Sequence, residues 1–248
     1  MDRLFRREPH DWWNTAALGG LAVMVFLMIW MGACSYGSRG AAKTTKPATT
    51  PGASSAVPTT GGLPASLANA GEYGENIYDY AKVNDWKNAG VKLAALKAAI
   101  KNVRAEVKNQ SGSVGHLEAN VAALDRNVTA KDRQATMREA NQVTLDVANM
   151  TSAYKLSVPV EVTRLDYYGR ELEVWAQAQD GSKLQTTARE MRQTWDSLRP
   201  AIENHSTTEA KKFDSLVARV ESAKTPADYA RVATPVLNDV DNLEKLFH

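Results

Sequence analysis

Apolar positions between residues 63 and 248 recur in steps of three, four and seven, and the pattern repeats at a longer spacing. Asp85, Asp132, Asp180 and Asp228 stand 47, 48 and 48 residues apart. Eight positions before each lies an apolar residue (Ile77, Leu124, Leu172, Val220). Fifteen positions after each come Ile100, Val147, Trp195 and Leu243, and eighteen after come Val103, Met150, Leu198 and Leu246. These steps put the apolar side chains on one face of a 3.6-residue helix. The repeating unit is predicted to be a helical hairpin, with the aspartate near the start of its second helix. Eight helices follow, at about 65–82, 85–108, 113–128, 130–153, 160–178, 181–203, 207–223 and 226–247. No segment alternates apolar and polar residues with β-branched enrichment, so the predicted fold class is all-α.

A stronger repeat has twice that length. At an offset of 95, Pro64 matches Pro159, Tyr73-Gly74 matches Tyr168-Gly169, Ile77 matches Leu172 and Tyr80 matches Trp175. Leu96, Ile100 and Val103 then match Met191, Trp195 and Leu198. After one inserted residue the offset becomes 96, pairing Leu117 with Phe213, Val121 with Val217 and Asp132 with Asp228. So long a run of matches reads as an internal duplication, 63–156 and 158–248, of two four-helix units. Stacking as a short α-solenoid and closure as two bundles both fit the hairpin spacing.

Local signals mark the helix starts. Thr129 and Thr225 each precede an aspartate by three residues, which predicts an N-cap threonine with an acid closing a capping box. Pro226 falls at the first helical position, where its missing N–H is harmless. Ser206 with Glu209 marks another start. Pro200 and Pro235 lie inside helical patterns, so each is expected to kink its helix or end it early.

The first 62 residues have a different texture. Arg3, Arg6, Arg7, Trp12 and Trp13 precede an uncharged apolar run from Ala16 to Ala33. With its flanking tryptophans the run reaches about the 20 residues that cross a bilayer core, so residues 12–33 are the expected contact with the membrane. Arginines on its N-terminal side predict that end in the cytoplasm and the rest of the chain exported, to the periplasm or cell exterior. Met31-Gly32-Ala33-Cys34 resembles a bacterial lipobox, in which a small residue precedes a cysteine that is lipidated and becomes the mature N-terminus. That resemblance implies Cys34 as a lipidation site. Gly32 departs from the usual pattern, and the preceding segment is long and carries Asp2, Glu8 and Asp11. An uncleaved single-pass inner-membrane anchor, residues 1–34, is therefore favoured over a lipoprotein signal. Residues 35–62, rich in Pro, Thr, Gly and Ala, bury too little to offset their own ordering and read as a flexible linker with a reach of about 30 Å.

Composition narrows the function classes. The chain has 30 basic and 28 acidic residues, one cysteine and four histidines among 248 residues. Setting aside the six basic and three acidic residues of 1–62 leaves 24 and 25, a balance that gives no general attraction to nucleic acid. So few soft ligands exclude a zinc finger, a cysteine-ligated iron–sulfur cluster or a disulfide scaffold. Glycine-framed serine nucleophiles, zinc-protease helices, phosphate loops and dinucleotide fingerprints are missing from the sequence, and no cofactor is implied. His116 with Glu118 is poorly spaced for shared ligation of a metal, whereas His205 and Glu209, four apart, could share a helix face but for the expected cap that follows His205.

Two features stand out as candidate partner surfaces. Lys97, Lys101, Arg104 and Lys108 share one helix face by their spacing and suit an acidic partner, although such a ridge is also what a solvated helix face looks like. Tyr73-Gly74 and Tyr168-Gly169 recur, and a glycine inside a helix costs about 0.5–1 kcal/mol unless something needs the missing side chain. Close helix packing explains the glycines. A groove lined by Tyr73, Tyr78, Tyr80 and Trp86 and, in the second half, Tyr167, Tyr168 and Trp175 is the functional alternative, suited to a peptide or partner helix. The expected role is non-enzymatic: a membrane-tethered, exported helical-repeat protein that binds another protein as an accessory or scaffold subunit of an envelope complex. The alternative is a ligand- or metal-binding helical bundle serving as a sensor or carrier.

Overall fold

The computed structural model describes residues 62–248, and every regular element among them is helical. The predicted anchor, residues 12–33, the linker and Cys34 lie outside the described residues. No described helix is long and apolar enough to cross a membrane. The eight helices are α1 (Ala65–Lys82), α2 (Trp86–Glu106), α3 (Ser111–Ala130), α4 (Arg133–Thr151), α5 (Val160–Ala178), α6 (Gly181–His205), α7 (Thr207–Ser222) and α8 (Pro226–Lys245). A 3₁₀ turn, Lys108–Gln110, stands between α2 and α3, so α2 ends earlier and α3 begins earlier than predicted.

Consecutive helices pack as hairpins, and α1 also lies along α4 while α5 lies along α8. Each set of four thereby closes on itself. The first core gathers Leu67, Ile77, Leu96, Val103, Leu117, Leu124, Met137 and Val147. The second gathers Leu165, Leu172, Met191, Trp195, Phe213, Val217, Val236 and Val240. Trp195 is fully buried, stacks at 4.6 Å on Phe213 and donates its indole N–H to Asp214 at 2.8 Å, which satisfies its one polar group.

The spaced aspartates occupy helix starts. Asp85, Asp132 and Asp180 are N-caps, accepting the backbone N–H of Asn88, Ala135 and Lys183. The residue before each, Asn84, Lys131 and Gln179, has a left-handed backbone with φ of 59°, 54° and 57°, reversing the chain in the tight turn. The fourth start differs. Thr225 caps α8 and Asp228 closes a capping box with it, Pro226 following in the first turn.

This corrects the prediction for Thr129. That residue belongs to the last turn of α3, which continues to Ala130, and Asp132 itself is the cap. The cause lies one residue along: position 130 is alanine where the second half has Pro226, so nothing stops α3 before Lys131. Of the two outcomes expected at the prolines inside helices, early termination does not occur. α6 continues past Pro200 to His205, and α8 past Pro235 to Lys245, so neither ends early. Pro200 is exposed, and each helix is held beyond its proline by buried residues, Ile202 in α6 and Val236, Leu237 and Val240 in α8.

Candidate functional site

The two four-helix sets meet along α1, α4 and α5, and the meeting surface is polar. Glu75 on α1 pairs with Arg170 on α5 at 3.4 Å. Arg170 also pairs with Asp166, one turn earlier on its own helix, at 3.0 Å, and its guanidinium lies 5.1 Å from the ring centre of Tyr78. Tyr78 donates its hydroxyl to Glu173 at 2.9 Å, and the Lys82 ammonium reaches the same carboxylate at 2.7 Å. Contacts advance along both helices together, 75 to 170 and then 82 to 173, so α1 and α5 run parallel. On the other flank Asn141 of α4 donates to the Tyr167 carbonyl at 3.1 Å and to Glu171 at 3.0 Å. Trp175 donates its indole N–H to the second oxygen of Glu171.

Burial makes these contacts consequential. Arg170 is 1% exposed, Tyr78 1% and Glu75 7%. Burial alone works against a guanidinium's charge, but Asp166, Glu75 and Asp79 outweigh it and hold Arg170 above the ordinary arginine range. The Tyr78 hydroxyl is pushed well up by burial and by Glu173 beside it, so it remains a donor. Glu171 is also raised by burial, against the opposing effects of Asn141, Trp175 and Lys183. A buried ion pair often contributes little net stability over apolar packing, yet losing one member is expensive. Separating the two sets would therefore be costly, because it would break contacts between charges that are already buried.

Of this cluster the sequence singled out Tyr78, Tyr167 and Trp175, as groove residues, but not the charged members, because a helical-face pattern treats charged positions as solvent-facing. One signal was present: Glu75 and Arg170 are 95 apart, as are Tyr78 and Glu173, the same spacing that separates Tyr73-Gly74 from Tyr168-Gly169.

The residues singled out from sequence are spread over several places. Gly74 sits where α1 crosses α4, and a Cβ there would lie 3.1 Å from Thr144 Oγ1 and 3.2 Å from the Ala140 carbonyl oxygen. Gly169 sits where α5 meets α8, and a Cβ there would lie 2.5 Å from Leu237 Cδ2. Both glycines thus stand at close helix crossings. Tyr73, Tyr80 and Trp86 are partly buried against the first core and Tyr168 against the second, while Trp175 packs on both. The Lys92 ammonium lies 5.3 Å above the Tyr73 ring. On the basic ridge, Lys97 pairs with Asp125 at 2.7 Å and Arg104 with Glu118 at 2.5 Å, while Lys101 is exposed. Lys108 lies in the 3₁₀ turn, and its side chain is outside what the structure describes.

His116 is exposed on α3, and Glu118 is engaged by Arg104. His205 ends α6 with its ring 4.8 Å from that of Phe247. Among the described residues, no group of three or more histidine, cysteine or acidic side chains is placed to hold a metal ion. No family model matches the chain, and no curated protein or solved structure matches it.

Proposed function

We propose that this chain is a membrane-tethered, exported scaffold or accessory subunit that binds another protein through its eight-helix body, and that the body arose by internal duplication. The observation that carries the reading is the buried seam of Glu75, Tyr78, Asp166, Arg170 and Glu173, which joins two four-helix bundles in one register. A body of fixed shape is what a scaffold presents. The apolar run of residues 16–33 and the spacer of 35–62 supply the tether, with an uncleaved inner-membrane anchor preferred to lipidation at Cys34. Lys101, exposed and without an ion-pair partner among the described residues, and the exposed Val91 both lie on α2, the helix offered to an acidic partner.

Photo-crosslinking tests the reading in intact membranes of the source cell. With a benzophenone amino acid at Val91 or Lys101 of the full chain, one discrete protein adduct is expected. An absence of discrete adducts from exposed positions on α2, α3, α6 and α7 alike would remove it. A membrane-impermeant maleimide should label a cysteine placed at His248 without cell lysis.

A second reading, a ligand-binding sensor or carrier bundle, is favoured by a cleft of about 440 Å³ in the second half, within the size range of small-molecule sites.

A further inference from the structure

The cleft lies between α6, the end of α7 and the start of α8. Arg189, Arg192 and Lys224 stand around it, Glu221 is its acidic member, and Tyr229 and Ala188 contribute buried apolar surface. Arg192 is already committed, to Asp196 at 3.1 Å and Glu221 at 3.7 Å. Arg189 donates to the Thr186 hydroxyl at 3.3 Å. Neither Arg189 nor Lys224 has an ion-pair partner among the described residues, so two cations face the opening uncompensated.

The first half carries different side chains at the corresponding positions. Lys97 and Asp125 correspond to Arg192 and Glu221, and they close to 2.7 Å. Leu93 stands where the second half has Ala188, Ala94 where it has Arg189, and Val128 where it has Lys224. Leu93 and Val128 are buried in the first core. At the edge of the cleft the second half therefore carries two cations that the first half lacks, and the buried Tyr229 stands where the first half has the exposed Arg133.

We infer that this cleft binds a small amphipathic anion, one carboxylate or sulfonate head on an apolar or aromatic body, with Arg189 and Lys224 meeting the head and Tyr229 and the Ala188 gap receiving the body. Charge-assisted contacts from a guanidinium and an ammonium suit such a head, and the half-apolar lining suits the rest. The inference rests on the ligand-binding reading alone, so its failure leaves the scaffold reading to the crosslinking experiment.

The test uses the full chain in zwitterionic lipid nanodiscs and ligand-observed fluorine NMR. The probe is 4-(trifluoromethyl)benzoate, with the uncharged 4-(trifluoromethyl)benzamide for comparison. Saturable benzoate binding is expected, with at least tenfold weaker binding of the amide. Ala188→Leu, which restores the side chain of the first half, should weaken benzoate binding at least tenfold. So should Arg189→Gln with Lys224→Gln, two exposed positions whose replacement leaves the core untouched. Lys101→Gln on α2 should leave binding unchanged. Absence of saturable binding would overturn the inference, as would equal binding of the amide or unchanged binding in the Arg189/Lys224 double variant.

Discussion

Glu75 on α1 and Arg170 on α5, 95 residues apart, meet as an ion pair at 3.4 Å in the interior. The two helices therefore face one another across a seam, with an apolar core on either side of it. The seam gathers several buried charges between two cores assembled mainly from apolar side chains, and a buried charge is costly to leave without its partner.

Replacing Arg170 with methionine leaves Glu75 and Asp166 buried without their counter-ion. The expected loss is about 3–5 kcal/mol in chemical denaturation. Removing the stranded acids as well, with Glu75→Met and Asp166→Asn, should recover a substantial part of it. A single replacement that leaves stability unchanged would show that the guanidinium is not a buried keystone.

Gly169 predicts a coupled pair. A methyl group there would lie 2.5 Å from Leu237 Cδ2 and 2.9 Å from its Cγ, closer than packing allows. Gly169→Ala should destabilise the protein by about 1–3 kcal/mol, despite alanine's higher helix propensity. In a double-mutant cycle with Leu237→Ala, that loss should shrink or reverse, because the obstructing side chain is gone.

The helix-start assignments can be separated by two alanine substitutions. Asp132→Ala removes the side chain that accepts the Ala135 N–H and should cost about 0.5–2 kcal/mol. Thr129→Ala, inside the last turn of α3, should fall within about 0.5 kcal/mol of the parent. Equal effects would contradict the observed boundary.

Glu171 should give a pH-dependent contribution of defined sign. Burial raises its carboxyl above the ordinary value of 4.5, so the folded state holds that proton more tightly than the unfolded state. Its contribution is most favourable below 4.5 and declines as pH rises toward the folded value. The stability difference between the parent and Glu171→Gln should therefore shift against the parent as pH rises from 3.5, then level off. Thermal unfolding of the two proteins in matched buffers measures it, and a constant difference across that range would contradict the raised carboxyl.

The helices and most of their starts could be read from the chain because the signals are local: an aspartate cap, a left-handed turn residue, a proline in a first turn. Thr129 shows where local reading fails, since a capping box was inferred by analogy with Thr225 although Pro226 has no counterpart at Ala130. The seam was hidden for a different reason. Glu75 and Arg170 look like solvent-facing charges until α1 and α5 are known to lie side by side. The cleft was hidden because its lining, Ala188 and Arg189 on α6, Lys224 after α7 and Tyr229 on α8, is brought together only by the packing of three helices. The tyrosine and glycine pairs were conspicuous in the sequence, but only the packing shows that the glycines stand at helix crossings while Tyr73 packs on the first core and Tyr168 on the second.

The account turns on the seam holding both bundles in one arrangement, and pulsed electron paramagnetic resonance measures that directly. Spin labels at Val91→Cys on α2 and Ser197→Cys on α6, in the full chain with Cys34→Ser, report the separation of the two bundles. A single narrow distance distribution is predicted for the parent, broadening when Arg170 is replaced by methionine. A broad distribution in the parent, or a narrow one that survives loss of Arg170 unchanged, would contradict it.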